Sequence, residues 1–377
     1  MIGLVSSPDT RQKLEILSAD AQYDLACACG TGKDDRRRRG SGDGWIYPVT
    51  LAGGGTSVLF KTLVSNVCAN DCLYCPLRAD QDVRRCALTG EETVRAFLDY
   101  YTRGRVFGLF LTSGVPGTPD AAMEQLIRVA RILRTRHGFR GYIHLKIIPG
   151  ASAAAVEEAV SLSTAVSLNI ETPGARHLAR LSRRKDFLHD IVEPIKLVSR
   201  LTAPGARYER VKQTTQFVVG AAEETDAEIV RYMGGLYDRL RLQRVYFSAY
   251  QKGPGDSAPA GEGARTGRDA LAREHRLYQV DFLMRRYGFA AAEIGFDPSG
   301  NLPLELDPKE EWARRHPEFF PLDINRAPAR DLLRVPGLGE VTVRRIVERR
   351  KGSRIRALDE VARPTAWIRK AGGYLRA

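Results

Sequence analysis

The stretch Cys68-Ala-Asn-Asp-Cys72-Leu-Tyr-Cys75 decides how the rest of this 377-residue sequence is interpreted. It places three thiols at C-x3-C-x2-C spacing directly after an apolar, β-branched run at residues 57–65. A structural zinc site or an electron-transfer cluster generally has four protein ligands, whereas three thiolates on a four-iron cluster leave one iron open. The spacing therefore predicts a [4Fe-4S] cluster with one iron available to a substrate or cofactor. A zinc site completed by a distant His or Cys is the alternative.

Strand-like and helix-like runs alternate through the region that follows. The strand-like runs lie at residues 57–65, 106–113, 142–149, 165–171, 214–220 and 245–250, and each precedes a run with helical periodicity. Six strand-then-helix units predict parallel strands joined by right-handed crossovers, which is an α/β sheet or a partial barrel. In such folds the ligand lies at the carboxyl ends of the strands.

The third strand-like run carries two polar side chains among aliphatic ones. His144 and Lys146 alternate with Ile143, Leu145 and Ile147, so the two-residue period of a strand places both on one face. If that face lines the barrel, His144 and Lys146 are candidates for substrate contact. A structural pair whose hydrogen bonds are satisfied within the protein is the alternative.

The cysteine stretch, with aromatic Tyr74 before its last Cys, resembles the CxxxCxΦC motif of the radical S-adenosylmethionine (SAM) superfamily. Its place after the first of six strand-helix units agrees with the superfamily's partial (β/α)6 barrel. The resemblance implies an enzyme in which Cys68, Cys72 and Cys75 bind a [4Fe-4S] cluster. It also implies reductive cleavage of SAM to a 5′-deoxyadenosyl radical, so the hard chemistry belongs to the cofactor.

The same resemblance assigns cofactor contacts to residues at other strand ends. A glycine after the second strand would allow close approach of the backbone to the SAM amino group. The implied contacts are Tyr74 beside the cluster, Thr112, Ser113 and Gly114 closing the second strand, Asn169 and Glu171 at the end of the fourth, Gln216 and Val218 in the fifth, and residues 247–250 in the sixth.

Three cysteines and one basic run have no assigned place in this scheme. Cys27 and Cys29 are candidates for a metal ligand or a reactive thiol, or have no role, and Cys86 is expected to be a buried small residue. The basic run at residues 183–185 is either surface charge or a contact to an anionic substrate or the SAM carboxylate.

The C-terminal segment is strongly basic. Residues 322–377 carry 14 Lys or Arg against 6 Asp or Glu, a net charge of +8 out of +13 for the whole chain. Within it, Asn325 is expected to cap a helix that stops at Pro336-Gly337, and a second helix is expected to start near Val341. Clustered positive charge favours a phosphate backbone as partner.

This C-terminal pattern resembles a helix-hairpin-helix motif with the hairpin at residues 336–339. The resemblance implies that Gly337 and Gly339 let backbone N–H groups approach a phosphate at the amino end of the second helix. Arg344 and Arg345 are displayed on that helix as further nucleic-acid contacts. A small helical hairpin that only packs against the barrel is the alternative.

Together these segments resemble the family of radical SAM proteins assigned to DNA modification or repair. The resemblance implies DNA as a partner, with RNA not excluded, an electron donor, and association with a uracil-DNA glycosylase-like protein. Two other functions stay open: a non-catalytic DNA-binding or glycosylase-like repair protein with a structural cluster, and a radical SAM enzyme that modifies RNA. A structural cluster would need a fourth thiolate, and no RNA-binding module or second cluster motif is found.

The domain organisation predicted from these patterns has four parts: a lead-in at residues 1–56, the partial barrel at 57–290, a linker at 291–321 and the helix-hairpin-helix domain at 322–377. The loop at residues 251–268, rich in Gly, Pro and Ala, is expected to be flexible or to close over the site. Six cysteines are too few for a disulfide scaffold, and no signal peptide or membrane span is recognisable. We therefore expect a cytoplasmic protein.

Overall fold

The computed structural model describes residues 8–21, 44–50, 56–250 and 267–377. The chain divides into two compact units. The first, the barrel unit, comprises Met1–Glu224 and Gly235–Glu274, and the second, the C-terminal unit, comprises Thr225–Gly234 and His275–Ala377. The predicted domain limits at residues 57, 291 and 322 stay a prediction.

The described part of the barrel unit contains one seven-stranded sheet. Its strands are β1 (Ile46–Thr50), β2 (Thr56–Leu63), β3 (Gly108–Thr112), β4 (Tyr142–Lys146), β5 (Ala165–Ser167), β6 (Lys212–Val219) and β7 (Arg244–Ala249). They are ordered as in the sequence, β1 antiparallel to β2 and β2 to β7 all parallel. The sheet curls into a half-barrel surrounded by helices, which confirms the predicted α/β partial barrel.

Helices connect the parallel strands as crossovers. They are α2 (Gly90–Thr102), α3 (Pro119–Thr135), α4 (Ala153–Leu162), α5 (Ala175–Leu181), α6 (Glu193–Leu201) and α7 (Asp226–Asp238), with α1 (Thr10–Asp20) before the sheet and α8 (Gly267–Tyr287) after it. Local sequence determines several helix starts, because the side chains of Thr89, Thr118 and Ser152 each accept a hydrogen bond from a backbone N–H in the first turn.

The core lies between the sheet and the helices. Leu109, Leu111, Ile143 and Leu145 are completely buried on the side of β3 and β4 that faces the helices. Side chains alternate along a strand, so the residues between them face the inside of the half-barrel. The polar residues that the strands place there are therefore available to a site.

Two elements lie within the segment predicted as a lead-in. Helix α1 buries Leu14 and Leu17, and the ammonium of Lys13 pairs with Glu92 of α2 at 2.8 Å. Strand β1 extends the sheet at its β2 edge.

The fourth predicted strand is shorter than expected. Strand β5 ends at Ser167, and beyond it the described residues continue the pairing by an isolated bridge between Glu171 and Phe217.

The C-terminal unit has its own small core. Its elements include α9 (Pro308–Arg315), α10 (Ala329–Leu332), α11 (Glu340–Gly352), α12 (Ala366–Gly372) and the parallel pair β8 (Leu322–Asp323) and β9 (Leu375–Arg376). Buried residues from α10, the hairpin, α11 and α12 pack together, among them Leu332, Leu338, Val343, Ile346 and Ile368. Helices α10 and α11 flank the predicted hairpin, but α10 is a single turn that ends at Leu332 and does not run on to the hairpin as predicted.

The predicted capping role of Asn325 is wrong. Pro328 is the N-cap of α10 and makes no side-chain capping bond. The Asn325 amide instead donates to the Ile355 carbonyl at 2.9 Å and accepts from the Ile355 N–H at 2.8 Å. Its hydrogen-bonding capacity is satisfied by a segment 30 residues away, which local capping rules cannot anticipate.

Among the residues that the structure describes, no helix has the length and apolar character needed to cross a membrane.

Candidate functional site

Side chains from several strand ends and from the cysteine stretch surround one cavity of about 190 Å³ in the barrel unit. One water requires about 10–15 Å³ of such space, so the cavity accommodates a ligand of many atoms. The predicted residues that line it are Cys68, Cys72, Tyr74, Cys75, Thr112, Ser113, Gly114, Lys146, Asn169, Glu171, Gln216 and Val218. They come from segments that are far apart in sequence and meet because parallel strands end at one edge of the sheet.

The three thiols lie on the loop between β2 and α2. Cys72 is buried, whereas Cys68 and Cys75 are partly exposed. The loop is fixed by backbone bonds to neighbouring segments: the Ala69 N–H donates to the Val115 carbonyl at 2.9 Å, and the Leu73 N–H donates to the Leu181 carbonyl at 2.8 Å. These contacts hold the thiols at the wall of the cavity.

This arrangement suits an iron-sulfur cluster. Three thiols line the cavity, and the fourth described cysteine, Cys86, does not. Three sulfur ligands around a cavity that stays open beyond them suit a four-iron cluster with one accessible iron.

Arg85 holds the cysteine loop from behind. Its guanidinium donates to the carbonyls of Asn66 at 2.5 Å, Leu77 at 2.8 Å, Arg78 at 2.8 Å and Gln81 at 3.1 Å. Only a planar group with several donors can bind four carbonyls in this way. One side chain therefore ties both ends of the loop together.

The basic run at residues 183–185 and the preceding serine clasp the same loop. The Ser182 hydroxyl donates to the Asp71 carboxylate at 2.5 Å, and the Arg183 N–H donates to the same carboxylate at 3.0 Å. Arg184 donates to the Ala69 carbonyl. Arg184 therefore binds a protein carbonyl. Lys185 lines the cavity, so within this run it is the residue placed to contact an anionic substrate or the SAM carboxylate.

Lys185 is a cation at the cavity wall that interacts with the thiols. Its ammonium donates to the Tyr74 hydroxyl at 3.2 Å and hydrogen-bonds to Cys72. Burial opposes its charge, but the nearby Cys72 and Glu171 outweigh burial and raise the pKa of Lys185. Burial, with the neighbouring Cys72, raises the pKa of Cys75 to about 12. A cluster that binds thiolates must therefore displace protons here, and Lys185 offsets the resulting negative charge.

Glu171 occupies a strained backbone position at the cavity. Its φ of 65° lies in the left-handed region, which a non-glycine residue seldom adopts. Two backbone bonds to β6 hold it there: its N–H donates to the Gln216 carbonyl at 3.0 Å, and its carbonyl accepts from the Val218 N–H at 2.8 Å. Strain that the surrounding structure enforces at a cavity wall points to a functional position.

Gly114 is required by the protein's own packing. The backbone of Gly114 lies so close to the Val67 carbonyl that a Cβ would overlap with it, and its N–H donates to the Ser65 carbonyl at 2.7 Å. The close approach predicted for this glycine is thus made to the segment that leads into the cysteine loop. The glycine joins the end of β3 to that loop.

The two predicted substrate residues on β4 have different surroundings. Lys146 lines the cavity, whereas His144 does not. The His144 ring lies 2.9 Å from the Ser167 hydroxyl and 3.2 Å from the Tyr142 hydroxyl, one at each nitrogen, and contacts the Phe110 ring in a tilted arrangement. His144 matches the structural alternative, and Lys146 is the candidate for substrate contact.

The sixth predicted strand also needs a correction. Ser248, Ala249 and Tyr250 line the cavity, but Phe247 does not. Phe247 is fully buried and stacks on Phe217 at 6.2 Å between ring centroids. Strand alternation places Phe247 in the core beneath the helices.

The hairpin of the C-terminal unit joins α10 to α11. Gly337 has a φ of 89°, and its backbone lies against the Trp367 carbonyl so tightly that a Cβ would overlap with it. Gly339 is the N-cap of α11 in an extended conformation. The glycine at 337 is therefore needed for packing against α12, a requirement separate from any phosphate contact.

Side chains of the same unit brace this hairpin. The Lys309 ammonium donates to the Leu338 carbonyl at 2.6 Å, and burial lowers the pKa of Lys309 to about 7. Arg286 forms two hydrogen bonds with the Glu340 carboxylate, at 2.8 and 2.6 Å. Arg344 and Arg345 are exposed and form no ion pair with a described residue.

Several predicted features lie outside the described residues. They are Cys27, Cys29 and residues 251–266 of the predicted loop. Sequence reasoning missed several residues that line the cavity, among them Asp20, Asn70 and the stretch at 147–149, and it missed Arg85 behind the loop. None of these carries a local signal, because their roles arise from tertiary contacts.

A family model described as the Radical SAM superfamily matches residues 62–234. No curated protein matches the chain. Similar solved structures include the FeFe-hydrogenase maturase HydG from Carboxydothermus hydrogenoformans, with 15% identity, 59% of this chain and 51% of that chain covered, and a TM-score of 0.46.

Two further structures show a similar level of likeness. Methylornithine synthase (PylB) has 14% identity, 59% of this chain and 62% of that chain covered, and a TM-score of 0.45. SuiB from Streptococcus suis bound to S-adenosylmethionine has 16% identity, 61% of this chain and 49% of that chain covered, and a TM-score of 0.44. The chain covers less than two thirds of the length of each of these three proteins.

Proposed function

We propose that this protein is a radical SAM enzyme that uses a [4Fe-4S] cluster and SAM, and that Cys68, Cys72 and Cys75 bind the cluster; the match of residues 62–234 to the radical SAM family model supports this. The observation that carries this proposal is the meeting of three thiols, and no fourth described one, at a cavity walled by polar strand ends. The cluster and SAM supply a 5′-deoxyadenosyl radical when they are bound. The protein's own residues hold, orient and shield these groups.

Each set of cavity residues has a proposed task. Lys185 offsets the negative charge of the thiolates, and Tyr74 and Glu171 complete the polar wall around it. Thr112, Ser113, Asn169 and Gln216 offer donors and acceptors for the polar parts of SAM, and Val218 offers an apolar surface. Lys146 is left to contact the substrate. The apolar residues among the lining, such as Leu63 and Ile148, keep water away from the reacting atoms.

The direct test is SAM cleavage by anaerobically reconstituted and reduced protein. We expect 5′-deoxyadenosine to form, and to form faster when DNA is added. Acceleration by structured RNA and not by DNA would select the RNA-modifying alternative. If a fully loaded cluster neither binds nor cleaves SAM, the protein holds a structural cluster, and the non-catalytic alternative replaces this proposal.

We further propose that the C-terminal unit binds nucleic acid and that the enzyme acts on DNA in modification or repair. The support is the net charge of +8 over residues 322–377, the formed hairpin, and the exposed Arg344 and Arg345. Backbone contacts of this kind position a protein without reading sequence. A target base in a duplex would have to be flipped out to reach a barrel cavity, at a cost of a few kcal/mol.

Two partners follow from this proposal. Reductive cleavage of SAM requires one electron, so we propose a cytoplasmic electron donor that docks near the cysteine loop. A uracil-DNA glycosylase-like protein is the proposed repair partner, and co-purification under native conditions tests that association.

Replacing both Arg344 and Arg345 by alanine should weaken duplex DNA binding and reduce its salt dependence. Each lost phosphate contact lowers the slope of log affinity against log salt by about 0.9. The matched control is Arg11→Ala with Arg103→Ala, which removes two exposed arginines of the barrel unit that pair with Glu15 and Asp99. Fluorescence anisotropy at several salt concentrations measures both variants, and equal losses in both would show that only total charge matters.

A further inference from the structure

Two large apolar side chains of the C-terminal unit are more than half exposed. Trp367 is 59% exposed and Val341 is 61% exposed. Trp367 is the second residue of α12, and Val341 is the second residue of α11. In both helices other residues form the core contacts: Ile368 in α12 and Val343 in α11 are buried. Helical periodicity therefore leaves Trp367 and Val341 on outward positions.

Trp367 belongs to the immediate surroundings of the hairpin. Its carbonyl lies against the backbone of Gly337, and Ala371, one turn further along α12, is the next neighbour of that glycine. The start of α12 is thus held next to the turn that leads into α11. The backbone of Trp367 therefore lies beside the segment proposed to meet a phosphate backbone.

One cation lies beside the ring. The Lys370 ammonium lies 5.4 Å from the centroid of the Trp367 ring, and its bond to Glu310 at 2.5 Å keeps it in place. A cation at this distance is attracted to the face of an indole, so Lys370 helps to fix the orientation of the ring. Trp367 and Lys370 both belong to the segment with a net charge of +8.

An exposed tryptophan within a basic surface has a defined chemical use. Basic side chains attract the phosphate backbone, and an aromatic ring provides a stacking platform for a base that is not already stacked in a duplex. A protein partner for the same patch would need a complementary acidic surface around an apolar centre. The position of Trp367 beside the hairpin favours nucleic acid.

We propose that Trp367 stacks on an unpaired nucleobase, so that the C-terminal unit prefers a bulge, mismatch or strand junction to a fully paired duplex. This inference rests on the proposed binding of nucleic acid and adds the class of structure that is bound. A preference for distorted sites would bring an already unstacked base near the enzyme. Such a base is the least costly to flip.

The test compares binding of the full-length protein to a paired duplex and to the same duplex with a one-nucleotide bulge. Wild type should bind the bulged duplex on the order of tenfold more tightly, as expected for one stacked base. Trp367→Leu should remove this preference and leave affinity for the paired duplex unchanged, whereas Trp367→Phe should retain most of it. Leu188→Ala, which alters a side chain of the barrel unit that is 62% exposed, is the control.

The outcomes distinguish base stacking by Trp367 from the more general proposal that the C-terminal unit binds nucleic acid. If wild type binds neither duplex, nucleic-acid binding itself is wrong. If it binds both equally, or if Trp367→Leu weakens both equally, stacking by Trp367 is wrong and the general proposal stands. Self-association of the chain that Trp367→Leu abolishes, without any bulge preference, would assign the patch to a protein partner. Circular dichroism melting confirms that each variant is folded.

Discussion

Alanine in place of Cys72 should abolish iron-sulfur loading and lower SAM cleavage by on the order of 10³-fold or more, because the residue acts as part of a single catalytic unit. Cys72 is the buried member of the three thiols at the cavity. Its removal leaves two thiols, too few to hold a four-iron cluster against loss. Iron content per chain and the amount of 5′-deoxyadenosine formed under reducing, anaerobic conditions are the measurements. The same loss is expected for alanine at Cys68 or Cys75.

Cys86 provides the matched control for this prediction. It is buried outside the cavity wall, with its sulfur 4.0 Å from the Lys13 carbonyl. Cys86→Ala should keep the full iron content and lower the free energy of unfolding by about 1 kcal/mol, as is common for a small buried substitution. Loss of the cluster in Cys86→Ala, or in alanine variants of Cys27 or Cys29, would reveal a fourth thiolate and support a structural cluster.

The order of strands and helices was predictable because its signals are local. Alternation along β3 and β4 and helical periodicity in α3 are set by neighbouring residues, and parallel strands with crossovers follow from them. The convergence of Thr112, Glu171 and Gln216 on one cavity also follows, since strand ends of one sheet meet at one edge. The strand assignments predict that these strand ends meet at one edge, and the family resemblance is what assigned the three residues to cofactor contacts.

Other features depend on contacts between distant segments and were not predictable. Strand β1 lies in a stretch with no strong pattern of its own and is stabilised by pairing with β2. Strand period alone cannot show that His144 is satisfied by Tyr142 and Ser167, because those partners come from tertiary structure. The separation of His144 from Lys146 therefore appears only in the fold.

The contacts that residues 182–185 make with the cysteine loop were also not predictable from the sequence. Ser182 and Asp71 are 111 residues apart in sequence, yet their side chains are 2.5 Å apart. The basic run that follows Ser182 has the composition of surface charge, and its Lys185 is instead directed at the thiols. Composition predicts how many charges a segment has. Only the fold determines which of them is buried beside a site.

Arg85→Ala should prevent stable loading of the cluster although all three thiols remain. The guanidinium binds four carbonyls of the cysteine loop, and each charge-assisted bond contributes about 1.5–3 kcal/mol. Because some of the released carbonyls can bind water, we expect a loss of about 3 kcal/mol or more in the stability of the loop. Iron content and the visible absorption of the cluster should fall several-fold in Arg85→Ala. The iron content of Arg85→Lys should lie between those of wild type and Arg85→Ala, because a lysine cannot reproduce the planar fork of the guanidinium.

Arg84→Ala is the control for this loop, because it removes a neighbouring arginine that is exposed. The Arg84 carbonyl accepts a hydrogen bond from the Asn66 amide at 2.8 Å, and that backbone contact survives the substitution. We therefore expect wild-type iron content in Arg84→Ala and a several-fold deficit in Arg85→Ala at matched net charge. Full loading of Arg85→Ala, with an unchanged urea unfolding curve, would mean that the backbone bonds of Ala69 and Leu73 alone hold the thiols in place. In that case the contacts of the loop with Val115, after β3, and with Leu181, at the end of α5, are sufficient to fix it, and Arg85 does not determine its conformation.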